Sequence, residues 1–253
     1  MATSTETITP AATVVVMRDR ADGPPDLLML ERSAAMSFAG GALVFPGGRV
    51  DPGDLALADV LGADDKEEAA ARIAAVRESI EEAGIAVALD PAPDAAALAV
   101  LRAALHAGDS FGEALARAGT ALALDRLVPF ARWLPRGMRH RIFDTRFYLI
   151  RAPDDAEPTV DGTENSRLFW ASAQSVLDDA DAGRVTIIFP TRRNLERLAR
   201  YATFDDAVAD ARAHPVETVT PWIEVRDGVE RLCIPEGIGY PVTSEPTATA
   251  HRA

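Results

Sequence analysis

The sequence predicts an α/β fold, a mixed α+β sheet with helices on its faces. Three observations carry that expectation. Short β-branched or apolar runs alternate with alanine-rich stretches along most of the chain. No Pro-, Gly- or Ser-rich linker divides the 253 residues into separate units. Hydrophobic residues make up 48% of the chain, enough to bury a core, while the 26% that are charged match an ordinary soluble domain. Disordered, collagen-like and disulfide-stapled classes are thereby excluded.

The elements follow in order. Residues 1–10, rich in Thr and Ala, read as a loose tail, as do residues 241–253. Residues 13–17 are a β-branched strand and 27–31 a second apolar strand, joined by turn material at 21–25. Residues 42–45 form a short strand running into Pro46-Gly47-Gly48, and 51–64 read as a loop with at most a helical turn. Asp64 and Asp65 each have a glutamate three residues on, a capping-box spacing, so a helix starts there and runs to Ala83. Gly84 is its natural C-cap. Residues 94–106 and 111–118 suggest two more helices. Strands are expected at 132–134, 143–150 and 167–171, and helices at 172–182, 191–200 and 204–212. Residues 218–225 and 229–234 read as a hairpin around Asp227-Gly228.

Charge narrows function. Asp and Glu total 39 against 26 Lys and Arg, a net charge of −13. Such a chain repels nucleic acid and anionic membrane, so neither is an expected partner. A phosphate substrate would need a divalent cation or a local arginine cluster. Lys66 is the single lysine, and Cys233 stands alone, so no internal disulfide and no Cys-based zinc site can form. The start of the chain lacks a basic, apolar leader and no apolar run is long enough to span a bilayer, so a cytoplasmic location is expected.

The segment from Arg77 to Ile85 carries the chemistry. On a helix, Ala69, Ile73, Val76, Ile80 and Ala83 fall on one apolar stripe, with Glu78, Glu81 and Glu82 on the other side. Carboxylates at i, i+3 and i+4 repel one another, and near a helix C-terminus the dipole opposes them as well. A hard cation such as Mg²⁺ would reverse the sign of these terms. An acidic solvated face with Arg77 paired to Glu81 is the plain alternative. Phe45-Pro46-Gly47-Gly48 upstream tips the balance, because glycines let backbone approach a metal or phosphate closely.

These residues resemble the box of the Nudix hydrolase superfamily, G-x5-E-x7-R-E-U-x-E-E-x-G-U with U aliphatic. Gly48 matches the first glycine, and Arg77, Glu78, Glu81, Glu82, Gly84 and Ile85 match the second half. Asp54 stands where the first glutamate belongs, Ser79 replaces an aliphatic residue, and the stretch from Asp54 to Arg77 is far longer than seven residues. A box interrupted this way resembles the coenzyme A diphosphatase-like branch. Leu28-Met29-Leu30-Glu31-Arg32-Ser33 ahead of Phe45-Pro46-Gly47-Gly48 is loosely similar to that branch's substrate signature. Residues 143–147 and the helix near Asn194-Leu195-Glu196 also look like that branch.

The resemblance implies a Nudix α/β/α sandwich with extra helices. It implies one domain over residues 11–240, with a box insertion at 55–66 and helical additions at 94–118 and 172–212. It implies Mg²⁺ or Mn²⁺ held by Glu78, Glu81 and Glu82, with the Gly48 carbonyl as a further ligand. Arg77 would orient the glutamates, and Asp54 would support the loop. Gly47, Gly48 and Arg32 are the expected substrate-binding residues, although Arg32 also reads as a surface arginine flanking a strand. Glu164 reads equally as a catalytic base, an extra ligand or a loop carboxylate. The basic stretch at 136–141 reads as a phosphate receiver or a solvated face, and the four histidines show no ligand spacing. The implied reaction is hydrolysis of a diphosphate bond in a small nucleoside diphosphate derivative, coenzyme A or acyl-coenzyme A first. ADP-ribose or nicotinamide dinucleotide cleavage and a non-catalytic ligand-binding domain are the alternatives. A homodimer stays open.

Overall fold

The computed structural model describes residues 7–34, 39–136, 142–160 and 165–250. A nine-stranded mixed sheet lies between two helical layers. The chain enters through β1 (Ile8–Arg18), β2 (Asp26–Arg32), β3 (Ala42–Val44) and β4 (Gly47–Arg49). Helices α1 (Pro52–Val60) and α2 (Lys66–Ala83) follow, then β5 (Leu89–Asp90), α3 (Ala95–His106), α4 (Phe111–Ala118) and β6 (Ala121–Leu122). The centre is completed by β7 (Val128–Trp133), β8 (Ile142–Arg151) and β9 (Asn165–Ser172). Then come α5 (Ala173–Asp181), β10 (Thr186–Ile187), α6 (Phe189–Leu198), α7 (Phe204–Ala213) and β11 (Thr218–Val219). Strands β12 (Trp222–Arg226), β13 (Val229–Cys233) and β14 (Ser244–Pro246) form a small separate sheet.

Alternation along the central strands builds the layers. Ala12, Val14 and Val16 of β1 face α2, α3 and α4, while Val15 and Met17 face α5, α6 and α7. In β8, Tyr148 and Ile150 point to the first layer, Phe147 and Leu149 to the second. Parallel pairing of β1 with β8 fixes the middle of the sheet, and β4 adds antiparallel to the start of β1 at Ala11–Thr13. That last pairing seats the Gly47-Gly48 turn against the sheet.

Helix α2 has the termini its sequence dictates. The Asp65 carboxylate accepts the Glu68 N–H at 3.0 Å, and Gly84 ends the helix in the left-handed region at φ 64°. The single apolar stripe does not describe it, however. Ala70, Ala71, Ala74 and Ala75 are fully buried along with Ile73, Val76 and Ile80. The alanines let β1, α1 and α3 pack closely round the helix, so its polar residues are enclosed too.

Other expectations are corrected. Residues 51–64 contain α1 rather than a loop, because Asp51 and Asp54 form a reciprocal capping box with Pro52 at the first helical position. The chain is already in β1 at Ile8, where parallel partners from Ile142 onward satisfy its backbone. Ser244–Pro246 is strand rather than tail, paired with Arg231–Cys233. The strand expected at 218–225 is two: β11 extends the central sheet beside β7, and β12 starts the separate one. The hairpin turn stands, with positive φ at both Asp227 and Gly228. Among the described residues, no helix is long and apolar enough to cross a membrane.

Candidate active site

Arg77 organises the site. Its side chain enters a charged pocket between α1, α2 and the turn after β4. Nε and one terminal nitrogen grip both Asp54 oxygens at 3.0 Å each, a fork-on-fork pair. The other terminal nitrogen donates to Glu78 at 2.9 Å and Glu81 at 2.8 Å, while the one on Asp54 also donates to the Arg49 carbonyl at 3.0 Å. Asp54 is 2% exposed, and its second oxygen also accepts the Asp51 N–H at 2.8 Å. The short carboxylate in the box's first acidic position therefore reaches Arg77 because α1 carries it there.

The glutamates gather above this arginine. Glu82, 5% exposed, accepts the Gly47 N–H at 2.8 Å and the Asn165 side-chain amide of β9 at 3.3 Å. Glu78 lies against Gly48 so closely that a Cβ there would stand 2.2 Å from its carboxylate oxygen. At Gly47 a Cβ would meet the Ala12 carbonyl at 2.4 Å. Gly47 is therefore required by contact with the β1 backbone, while a side chain at Gly48 would displace the Glu78 carboxylate.

One guanidinium faces four carboxylates here. Burial pushes the Glu78 carboxyl up to about 8; Arg77 opposes this, and the charges of Glu82 and Glu81 reinforce it. Burial raises Glu81 as well, against the pull of Arg77. Such a set of hard oxygen donors, short of positive charge and with a glycine cradle beside it, fits a hard divalent cation. Among the described residues no three such groups stand ready-made around one point, since Arg77 draws Glu78 and Glu81 to itself. Binding a cation would replace those two hydrogen bonds.

Other expected residues fall nearby or outside. Arg32 ends β2 opposite Asn165, the residue that donates to Glu82, and its buried Nε has no partner among the described residues. Glu164 and residues 137–141 lie outside the described residues. Sequence reasoning missed four groups. Asn165 is one. Arg102, His106 and Thr159 are the others, and all meet the C-terminal end of α2. The i, i+4 spacing of Arg102 and His106 on α3 was the available signal.

No family model matches the chain. Nudix hydrolase 7 of Caenorhabditis elegans is 32% identical over 184 residues, covering 71% of this chain and 57% of that protein. The chain thus spans little more than half the length of this relative. A solved Nudix hydrolase from Alicyclobacillus acidocaldarius is 29% identical over 81% of this chain and 97% of its own, with a TM-score of 0.71. In sequence and, over almost the whole of that second protein, in fold, the chain is similar to Nudix hydrolases.

Proposed function

We propose that the protein hydrolyses a diphosphate bond in a nucleoside diphosphate derivative with the help of Mg²⁺ or Mn²⁺, and that coenzyme A or acyl-coenzyme A is the favoured substrate. One observation carries the reading. Glu78, Glu81 and Glu82 gather on one helical turn beside Gly48 and, with Asp54, outnumber the Arg77 guanidinium that binds three of these four carboxylates. A fold built for stability alone gains nothing from that surplus, because uncompensated buried charge is costly. The coenzyme A preference rests on the Leu28–Ser33 and Phe45–Gly48 segments.

Phosphoryl transfer is mostly positioning and charge neutralisation. A cation held by Glu78, Glu81 and Glu82, with the Gly48 carbonyl alongside, would neutralise diphosphate oxygens and make water a better nucleophile. The chain's own residues do the rest. Arg77 fixes the spacing of Glu78 and Glu81. The Gly47 N–H and Asn165 hold the two oxygens of Glu82, so that side chain cannot rotate away. Arg32, the last residue of β2, would meet a substrate phosphate. Glu164 remains our choice for the base or an added ligand.

A panel of coenzyme A, acyl-coenzyme A, ADP-ribose and nicotinamide dinucleotide, with and without Mg²⁺, tests the reading. We expect metal-dependent turnover highest on the coenzyme A pair, and a loss of at least about a hundredfold in Glu81→Gln and Glu82→Gln. Turnover of ADP-ribose alone would remove the substrate preference. No turnover of any diphosphate would leave a ligand-binding domain.

A further inference from the structure

The last turn of α2 presents a problem that its own sequence does not solve. An α-helix leaves its final carbonyls without helical partners. Here that end also holds three glutamates, where the dipole favours cations, and the last turn contains no basic residue. Every one of those carbonyls is nonetheless satisfied. The Gly84 N–H reaches the Ile80 carbonyl at 3.0 Å, and the Ile85 N–H reaches that of Ser79 at 3.2 Å. The Thr159 N–H reaches the Ala83 carbonyl at 2.9 Å. The two that remain belong to Glu81 and Glu82, and Arg102 of α3 takes both. Its Nε and terminal nitrogen donate to the Glu81 carbonyl at 3.0 and 2.8 Å, and the same nitrogen reaches the Glu82 carbonyl at 3.4 Å. His106, one turn on, sits 3.2 Å from the Glu81 carbonyl.

The guanidinium is itself aimed. It donates to the Thr159 hydroxyl at 2.6 Å and to the Thr159 carbonyl at 2.9 Å. Gly84 leaves the room: a Cβ there would stand 2.6 Å from the Thr159 hydroxyl oxygen and 2.8 Å from Arg102. Gly84 is thus required by its left-handed φ and, separately, by this arginine.

We propose that Arg102 is a positioning residue for the glutamate cluster: it supplies from α3 the positive charge and the forked donor that hold the Glu81–Glu82 backbone in place for cation binding. The proposal rests on the metal-dependent reading above. It gives α3 a task beyond thickening the fold. Arg102 donates to the backbone carbonyls of Glu81 and Glu82, so its effect is on where the two side chains start. A fork gripping one carbonyl with two N–H groups fixes direction as well as distance, which a lysine cannot do.

The test measures Mn²⁺ binding by calorimetry alongside kcat and KM, in wild type, Arg102→Met, Arg102→Lys and Thr159→Val. Arg102→Met should weaken Mn²⁺ binding and lower kcat by about 10-fold or more each, the range for residues that orient metal ligands. KM for the diphosphate should move less than about twofold, since no substrate contact is lost. Arg102→Lys should recover part of the loss, and Thr159→Val should lie between wild type and Arg102→Met. A folded Arg102→Met protein that binds Mn²⁺ as wild type does overturns the proposal. If Arg102→Met does not fold, wild-type Mn²⁺ affinity in both other variants overturns it. Absence of diphosphate turnover in the wild type defeats the functional reading instead, while the Mn²⁺ affinities still decide the role of Arg102.

Discussion

Both helical layers bury arginines among carboxylates, yet they balance charge differently. Around α2, Arg77 meets Asp54, Glu78 and Glu81, with Glu82 beside them, so negative charge is in excess. Under the other face, α6 buries Arg193 and Arg197, each 2% exposed or less. Arg197 pairs with Asp210 at 2.7 and 2.9 Å, donates to the Phe130 carbonyl, and lies over the rings of Phe130 and Tyr240. Arg193 meets Glu196 and Glu245 and lies over Phe189, and Arg192 beside it reaches the same two carboxylates. The lower cluster neutralises itself and ties the C-terminal segment to α6. The upper one does not, and the cation site proposed above rests on that surplus of carboxylates. Burial of charge is common to both layers, and only the imbalance distinguishes a site from a strut.

Removing the central arginine of each cluster should break the comparison most forcefully. Arg77→Met and Arg197→Met each strand buried carboxylates and should each cost about 3–5 kcal/mol in a urea unfolding curve. Millimolar Mg²⁺ should restore part of the loss in Arg77→Met, because a cation can replace the guanidinium among the glutamates. It should restore nothing in Arg197→Met, which strands one carboxylate, Asp210, rather than a cluster. Equal response of the two variants to Mg²⁺ would mean that the excess charge is not a cation site.

The glycines sharpen the contrast at smaller cost. A Cβ at Gly48 meets only the end of the Glu78 side chain, which can swing aside. Gly48→Ala should therefore change stability by less than about 1 kcal/mol, while metal-dependent turnover falls with the displaced carboxylate. Gly239, at φ +94°, has the Arg197 guanidinium carbon 2.9 Å from the position of its Cβ. Gly239→Ala should cost about 1–3 kcal/mol through that contact and the strained backbone, with turnover per folded molecule unchanged. Thermal melts and steady-state rates on the same preparations separate the two outcomes.

These differences also show which interactions a linear reading can reach. Helix α2 was legible from end to end because its caps, Asp65 and Gly84, act within three or four residues of the bonds they make. The three glutamates were legible as a cluster from helical spacing alone. Helix α1 was not recognised, since Pro52-Gly53 reads as turn material, although proline at the first helical position is itself a start signal. That omission hid Asp54 as the buried partner of Arg77. Asn165 is 83 residues from Glu82 and Arg102 is 21 from Glu81, so only packing brings them together. The enclosure of α2 was equally invisible, because alanine is neutral in an amphipathic pattern and tells little about which face is covered.

The layers also differ in the sign of their response to pH. Burial raises the Glu78 carboxyl to about 8, so the folded protein holds a proton there that the unfolded chain, near the ordinary glutamate value, has already released. Folding then binds a proton, and this contribution to stability is present in mild acid and lost as pH rises through roughly 5 to 8. Asp210 behaves oppositely. Burial alone would raise it, but the Tyr201 hydroxyl and the Arg197 guanidinium beside it outweigh burial and hold it below the ordinary aspartate range. Its contribution is complete above that range and lost as pH falls through the depressed value. Urea midpoints across the pH range should therefore decline on the alkaline side through Glu78 and on the acid side through Asp210. Glu78→Gln should flatten the alkaline slope and leave the acid one. Since a metal ligand must be deprotonated, Mg²⁺ binding near neutral pH should release a proton in the wild type and less in Glu78→Gln. An alkaline slope that survives Glu78→Gln would place the titrating group elsewhere in the α2 layer.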